Sequence, residues 1–222
     1  MTSDTAEFNG LIEAVERDGW CVLTDFFDRE LCAALADDCR QLDAVAKLQP
    51  AATGRGAGRQ RVGLRGDRTR WFDPQALSPP QAAWWQRLET LRVILNQRLL
   101  LGLHELEAHY ALYPPGAGYA RHLDRFRDDD ARTLTVVSYL NLDWQRGHAG
   151  LLRLYRPEGP LDIEPRAGTA VFFLSGEFEH EVLPATHERL SIAGWFRRRA
   201  APITPSARHR WSAADANYGP RQ

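Results

Sequence analysis

The sequence has no apolar run near the roughly 18 residues that a membrane-spanning helix needs. Neither sign of charge dominates. The 222 residues carry a formal net charge of −1, which offers nucleic acid or an acidic membrane no bulk field. Cysteine is scarce: Cys21, Cys32 and Cys39 are the full set. Their number is odd and no Cys-x-x-Cys occurs, which argues against a disulfide framework or a zinc knuckle. Cys32 and Cys39 share one helix face and read as small apolar core residues. A reducing, cytoplasmic compartment is expected. Met1 to Glu7 is polar and acidic, which argues against a signal peptide. There is no internal repeat.

What is present fits one globular domain. Hydrophobic residues make up 44%, an ordinary share for a globular chain, and the length allows a sizeable core. Asp4-x-x-Glu7 reads as a capping box before a first helix. Its stripe is Phe8, Leu11, Ile12 and Val15, and Gly19 ends it. Trp20 to Phe27 is a strand candidate. Asp28 can cap a second helix with Cys32, Leu35, Cys39, Leu42 and Ala46 on one face. After Pro79-Pro80 a third helix runs to about Leu101, with Trp84, Leu88, Leu91, Leu95 and Leu99 in line. Between these helices Gln49 to Arg70 interleaves glycine and arginine. Its glycines match neither a dinucleotide fingerprint nor a Walker loop. It reads as a mobile loop, a candidate lid.

From Glu105 the period changes to two. Leu106, Ala108, Tyr110 and Leu112 alternate with Glu105, Glu107, His109 and Tyr113. Strands follow at Tyr119–Asp124, Arg132–Asn141, Leu151–Tyr155, Leu161–Glu164, Thr169–Leu174, His180–Leu183 and Leu190–Arg197. Turn residues separate them, among them Asp128–Asp130, Gly147–Gly150 and Pro184. About eight short strands after a helical start suggest an α+β chain: a double-stranded β-helix, or cupin-like jelly roll, with supporting N-terminal helices. The domain is expected over residues 1–200, with helical support over 1–103, the jelly-roll core over 104–199, and a loosely held tail over 201–222.

Within this pattern lies a metal set. His122 and Asp124 are two apart, so a strand points both the same way. His180 opens a different strand and is expected to enter from the facing sheet. Two imidazoles and one carboxylate hold one face of Fe(II) and leave the remaining positions open. Arg189 stands in an apolar strand, where a buried cation needs an anion. A hairpin round Pro184 to His187 would place it beside His180. A carboxylate ligand would suit its planar fork; Glu181 or Glu188 would be a structural partner instead. His104-Glu105-x-x-x-His109 is one residue too long for a zinc-protease motif. His148 and His187 fall in turns.

Tyr113-Pro-Pro-Gly, Tyr119-Ala-Arg-His-Leu-Asp124, Tyr139-Leu-Asn-x-Asp-Trp144, Leu152-Arg-Leu-Tyr155 and His180-Glu-Val followed by Arg189 and Trp195 resemble the Fe(II)/2-oxoglutarate oxygenases. Over about residues 20–198 the chain resembles, more narrowly, the prolyl hydroxylases of the type that modify hypoxia-inducible factor, and especially their bacterial relatives. The resemblance implies Fe(II), 2-oxoglutarate and O2 as cofactors, with ascorbate as a candidate reductant. His122, Asp124 and His180 would bind iron. Arg189 would bind the distal carboxylate of 2-oxoglutarate with the Tyr139 hydroxyl as second donor. Tyr113, Leu152, Val182 and Trp195 would complete that pocket. Arg65, Asp67 and Trp71 look like the end of a finger over the target peptide, and Arg132 matches a position that helps hold it. His109 shares a strand face with Tyr113 and is a further candidate for the pocket lining.

The resemblance also implies the reaction: hydroxylation of a prolyl residue in a protein, with succinate and CO2 released. Elongation factor Tu is the type of target it suggests for the bacterial branch. Retention of Asp124 favours hydroxylation over halogenation. Alternatives are a small-molecule or free-amino-acid hydroxylase on the same site, and a non-catalytic module that senses metal or oxygen. Neither a membrane nor a nucleic-acid partner is expected.

Overall fold

The change of period at Glu105 marks where the chain turns from mostly helix to sheet. A computed structural model describes residues 7–51, 64–124 and 131–199. In chain order the elements are α1 (Asn9–Asp18), β1 (Trp20–Leu23), α2 (Arg29–Ala44), β2 (Gln49–Pro50), β3 (Arg68–Trp71), α3 (Pro79–Leu99), β4 (Leu103–Tyr113), β5 (Tyr119–His122), β6 (Arg132–Tyr139), β7 (Leu152–Arg156), β8 (Gly159–Ile163), β9 (Ala170–Leu174), β10 (His180–Val182) and β11 (Arg189–Arg198). The strands form two sheets. The larger runs β1-β9-β6-β11-β4-β3-β2 and the smaller β5-β10-β7-β8. Every ladder is antiparallel, as a jelly roll requires.

Strand parity builds three layers. On β4, Leu106, Ala108, Tyr110 and Leu112 face one way and join Leu190, Ile192 and Phe196 of β11 and Leu134 and Val136 of β6. The helices cover that face with Leu11, Ile12 and Val15 of α1, Cys32, Leu35 and Cys39 of α2, and Trp84, Leu88, Leu91 and Leu95 of α3. The opposite parity, Ala111, Tyr113, Val137, Tyr139, Val171 and Phe173, faces the smaller sheet and its Leu152, Leu154 and Val182. Central strands of the larger sheet are therefore buried on both faces, which is why β9 reads as the unbroken apolar run Ala-Val-Phe-Phe-Leu.

Local signals explain most boundaries. Asp28 caps α2, its carboxylate accepting from the Leu31 N–H at 2.7 Å. Gly19 closes α1 in the left-handed conformation. Before α3 the Gln81 side chain accepts from the Ser78 N–H at 3.2 Å, one half of a capping box, with Pro79 at the first helical position. The expected box at α1 involves Asp4, which lies outside the described residues, and the N-cap is Phe8. Asp128–Asp130, residues 52–63 of the Gly/Arg loop and the tail over 201–222 also lie outside them.

Four expectations are corrected. The Trp20–Phe27 strand stops at Leu23, because Asp25 adopts a positive φ and turns the chain. Phe26 and Phe27 then donate their N–H groups to the Gly168 carbonyl and bury their rings toward the helices. Ala46 lies past the end of α2 with φ 55° and is exposed, so it is not on the buried face. The segment from Gln49 to Arg70 is not all loop: its ends form β2 and β3. The charged residues of β3 hid it, since its place is fixed by backbone pairing with β4 and not by an apolar face. The strand expected over Tyr119–Asp124 ends at His122, leaving Asp124 in a bend.

The joint between helix and sheet includes one polar contact. The Trp84 indole N–H donates to the Ser138 hydroxyl at 3.1 Å, with both residues fully buried. Ser138→Ala strands that donor and is expected to cost about 1–3 kcal/mol of stability, read from urea denaturation.

Candidate active site

His122 sits at the end of β5 and Asp124 in the bend that follows. His180 starts β10 and pairs directly with His122 across the ladder. The two histidines therefore share one sheet, which corrects the expectation that His180 enters from the facing one. Direct pairing puts both side chains on the same face of the small sheet. One ligand atom from each of His122, Asp124 and His180 lies within 4.8 Å of the others. The His122 Nε2 is 3.5 Å from one carboxylate oxygen and the His180 Nε2 is 3.6 Å from the other.

The protonation states suit a metal. The Nδ1 of His122 meets the Ala120 carbonyl at 2.8 Å and that of His180 meets the Phe178 carbonyl at 3.2 Å. A proton on Nδ1 satisfies each carbonyl and leaves Nε2 as the lone-pair donor. Burial pushes His180 down to about 4, so its ring is neutral. Burial works to raise the Asp124 carboxyl, but the His180 and His122 rings and the Arg132 guanidinium hold it well below the usual carboxylate range. A neutral His180 imidazole, the His122 ring and an ionised carboxylate make a donor set that fits Fe(II).

Arg189 begins β11 in the larger sheet and is 1% exposed. The chain between Val182 and Arg189 crosses from one sheet to the other, so the two residues His180 and Arg189 are not joined by a hairpin. The Arg189 Nε donates to the Gly150 carbonyl at 2.9 Å and Nη1 to the Ser191 hydroxyl at 3.3 Å. Nη2 has no partner among the described residues. Glu188 accepts from Arg40 and Glu181 from Tyr155, so neither is its structural partner. The rings of Tyr113 and Tyr139 flank the guanidinium, each centroid 5.1 Å from its central carbon. The Tyr139 hydroxyl is also buried and unpartnered. Burial raises that phenol to about 12, against the pull of Arg189, so it keeps its proton and remains a donor. A planar cation with a free N–H beside a free phenol fits a carboxylate. Gly150 makes the arrangement possible. It holds φ 63°, and a Cβ there would stand 2.7 Å from the Cβ of Ala185.

One cavity of about 280 Å³ connects these groups. His122, Asp124, His180, Arg189, Tyr113, Leu152, Val182 and Trp195 all line it. Of the residues expected at the target, Arg65, Trp71, His109 and Arg132 line it as well. Two expected residues are absent from its wall. Tyr139 is wholly buried against Arg189, and Asp67 is buried in an ion pair that grips Arg65 with both oxygens, at 2.6 and 2.7 Å. Trp71, His109 and Trp195 pack ring against ring at one side, and Trp71 is 49% exposed there. The Arg132 guanidinium lies 3.7 Å above the Trp195 ring and donates to Glu107 at 2.7 Å. Burial pushes His109 down to about 4, which keeps that wall uncharged.

The wall also holds residues that sequence reasoning gave no role. Ser191 and Ala193 follow Arg189 at period two, a signal that was available. Tyr119 stacks on His122 at 3.7 Å, and the Arg65 guanidinium lies over its ring at 4.5 Å. Its three-residue offset from His122 gives no same-face signal on a strand; an irregularity in the β5–β10 register brings the rings together. Residues 64–66 pair along β5 and β3 pairs with β4, so one short segment bridges the two sheets beside the cavity.

A double-stranded β-helix with a His-x-Asp…His set and an anion-seeking arginine in one cavity is the class of the non-haem iron oxygenases. Residues 108–197 match the 2OG-Fe(II) oxygenase superfamily. The chain is 46% identical to a Pseudomonas putida prolyl-4-hydroxylase of solved structure, with a TM-score of 0.78 over 86% of this chain and 98% of that one. It is 28% identical to Egl nine homolog 1 of Rattus norvegicus, over 84% of this chain and 57% of the relative. It is also 28% identical to the human prolyl hydroxylase EGLN3, over 84% of this chain and 81% of the relative. The chain belongs to the 2OG-Fe(II) oxygenase superfamily and, within it, to the prolyl hydroxylases. It spans about half the length of the Egl nine homolog 1 relatives. Among the described residues no helix is long and apolar enough to cross a membrane.

Arg189→Lys keeps the charge but loses the fork. It is expected to weaken 2-oxoglutarate binding by about 10- to 100-fold, the worth of a lost charge-assisted hydrogen bond. Fe(II) affinity should stay near the parent value, and calorimetric titration with each ligand in turn reads both.

Proposed function

We propose that this protein is an Fe(II)- and 2-oxoglutarate-dependent dioxygenase that hydroxylates a prolyl residue in a protein, with succinate and CO2 as co-products. The observation that carries the reading is the unpartnered Nη2 of Arg189 in the wall that also holds His122, Asp124 and His180. A buried cation with a free donor calls for an acid, and the neighbouring donor set calls for a divalent metal. Iron with 2-oxoglutarate and O2 bound supplies the oxidising power that C–H hydroxylation needs.

The residues then divide the work. His122, Asp124 and His180 hold the metal. Arg189 and the Tyr139 phenol bind the far carboxylate of the co-substrate. Tyr113, Leu152 and Val182 enclose its carbon chain, and Trp195 closes the pocket on the side of the target. Trp71, His109 and Trp195 offer an uncharged aromatic wall suited to a pyrrolidine ring. Arg132 and Arg65 stand beside that wall as donors for the target's backbone, and Asp67 acts by holding Arg65 in place. The names of the relatives, prolyl hydroxylases in Pseudomonas putida and in human, support a prolyl target.

The test is mass spectrometry of a proteome treated with the enzyme, Fe(II), 2-oxoglutarate and O2, with elongation factor Tu as the first candidate. A gain of one oxygen on a peptidyl proline, absent with Asp124→Ala, is the expected result. Oxidation of free proline alone would move the assignment to a small-molecule hydroxylase. Failure of the parent protein to convert 2-oxoglutarate to succinate under any condition would remove the enzyme reading.

A further inference from the structure

We infer that Thr135, backed by Ser175, is a positioning residue of the iron site: it sets the Asp124 carboxylate in its ligating posture. The inference rests on His122, Asp124 and His180 being the iron ligands.

The three ligands are held differently. Both histidines are oriented by backbone carbonyls, those of Ala120 and Phe178. The Asp124 carboxylate is held by side chains. The Thr135 hydroxyl donates to Asp124 Oδ2 at 2.9 Å, and the Ser175 hydroxyl lies 2.9 Å from the Thr135 oxygen. A threonine hydroxyl has one proton to give. Since Thr135 gives it to the carboxylate, Ser175 must be the donor in the second bond. The chain of donation runs one way, from Ser175 to Thr135 to Asp124. Such a chain polarises each of its members and strengthens the last bond. Both hydroxyl residues are 0% exposed, so bulk water does not compete for the hydroxyls.

The pair is also fixed in space. Thr135 lies on β6 with the cavity-facing parity of Val137 and Tyr139, and its neighbours pair with β9. Ser175 follows β9 directly, and its N–H donates to the Thr133 carbonyl at 3.0 Å. The β6–β9 ladder thus sets the distance between the two hydroxyls. Arg132 reaches the same loop, but its donor meets the Asp124 backbone carbonyl at 3.4 Å and not the carboxylate. Asp124 stands in a bend beyond the end of its strand, so the ladder alone does not fix its side chain. With Oδ2 engaged by Thr135, rotation of the carboxylate is restrained, and it would be held facing the two histidine Nε2 atoms as a metal ligand.

The test compares full-length Thr135→Val, Thr135→Ser and Ser175→Ala with the parent, by anaerobic calorimetric titration with Fe(II) and by thermal melting of the metal-free proteins. Valine keeps the shape and removes the donor. The expected result is about a 10- to 100-fold loss of Fe(II) affinity in Thr135→Val, the usual cost of removing an outer partner of a metal ligand. Thr135→Ser should bind Fe(II) close to the parent value, and Ser175→Ala should lose less than Thr135→Val. A role in packing alone would lower the melting temperature of the metal-free valine variant and leave Fe(II) affinity unchanged. That outcome overturns the inference while the ligand set stands. If the valine variant does not fold, Ser175→Ala decides: weakened Fe(II) binding supports the chain of donation, and parent-like binding overturns it. A parent protein that takes up no Fe(II) overturns the ligand set, and the inference with it.

Discussion

The interior of this protein contains two charges of opposite sign that do not neutralise each other. Asp124 is ionised and buried between the His122 and His180 rings. Arg189 is buried between two tyrosine rings with one nitrogen unpartnered. Their contacts go elsewhere, to Thr135, His122 and His180 on one side and to Gly150 and Ser191 on the other. Burying an uncompensated charge is costly. The fold sustains both by surrounding each with oriented dipoles, and among the described residues Asp124 makes no ion pair with a lysine or arginine and Arg189 none with a carboxylate. A cation for the first and an acid for the second complete the account. The family's cofactors, a divalent iron and a dicarboxylate, are that pair.

The architecture that allows this follows from strand parity. The larger sheet gives one face to the helices and the other to the cavity, residue by residue along β4, β6 and β11. On β11, Leu190, Ile192 and Phe196 anchor the strand in the helical layer while Arg189, Ser191, Ala193 and Trp195 face the cavity. A single strand thus carries the buried cation at one end and the aromatic wall toward the other. Among the described residues the smaller sheet has no helical cover, and it supplies His122 and His180. Distances between the two groups are therefore set by sheet-to-sheet packing, with Leu152, Leu154 and Val182 as spacers.

Periodicity carried the strands into view, and with them the parity that selects His109, Tyr113, Val137 and Tyr139 for the cavity side. The His-x-Asp pair was legible from its spacing alone, although β5 ends at His122 and Asp124 reaches the site from the bend that follows. Partnership between strands was not legible in the same way. His180 was expected from the opposite sheet, yet it pairs with His122, because register and sheet membership depend on contacts far apart in sequence. The hairpin drawn between His180 and Arg189 failed for the same reason: a short proline-containing link can turn back or cross over, and composition does not say which. The strand β3 was invisible because its residues, Arg68, Thr69, Arg70 and Trp71, present no apolar alternation. Ser175 carried no signal at all, since a serine before a glycine reads as a turn.

The means of holding the three metal-facing side chains has a consequence for inheritance. Backbone carbonyls orient His122 and His180, and no point substitution at Ala120 or Phe178 deletes a carbonyl. The carboxylate is oriented by hydroxyl side chains, which a single codon change can remove or replace. Two arms of the site are therefore insulated from mutation and one is open to it. Variation among descendants of this sequence in how firmly, and how openly, the metal is held has its shortest route through the third arm.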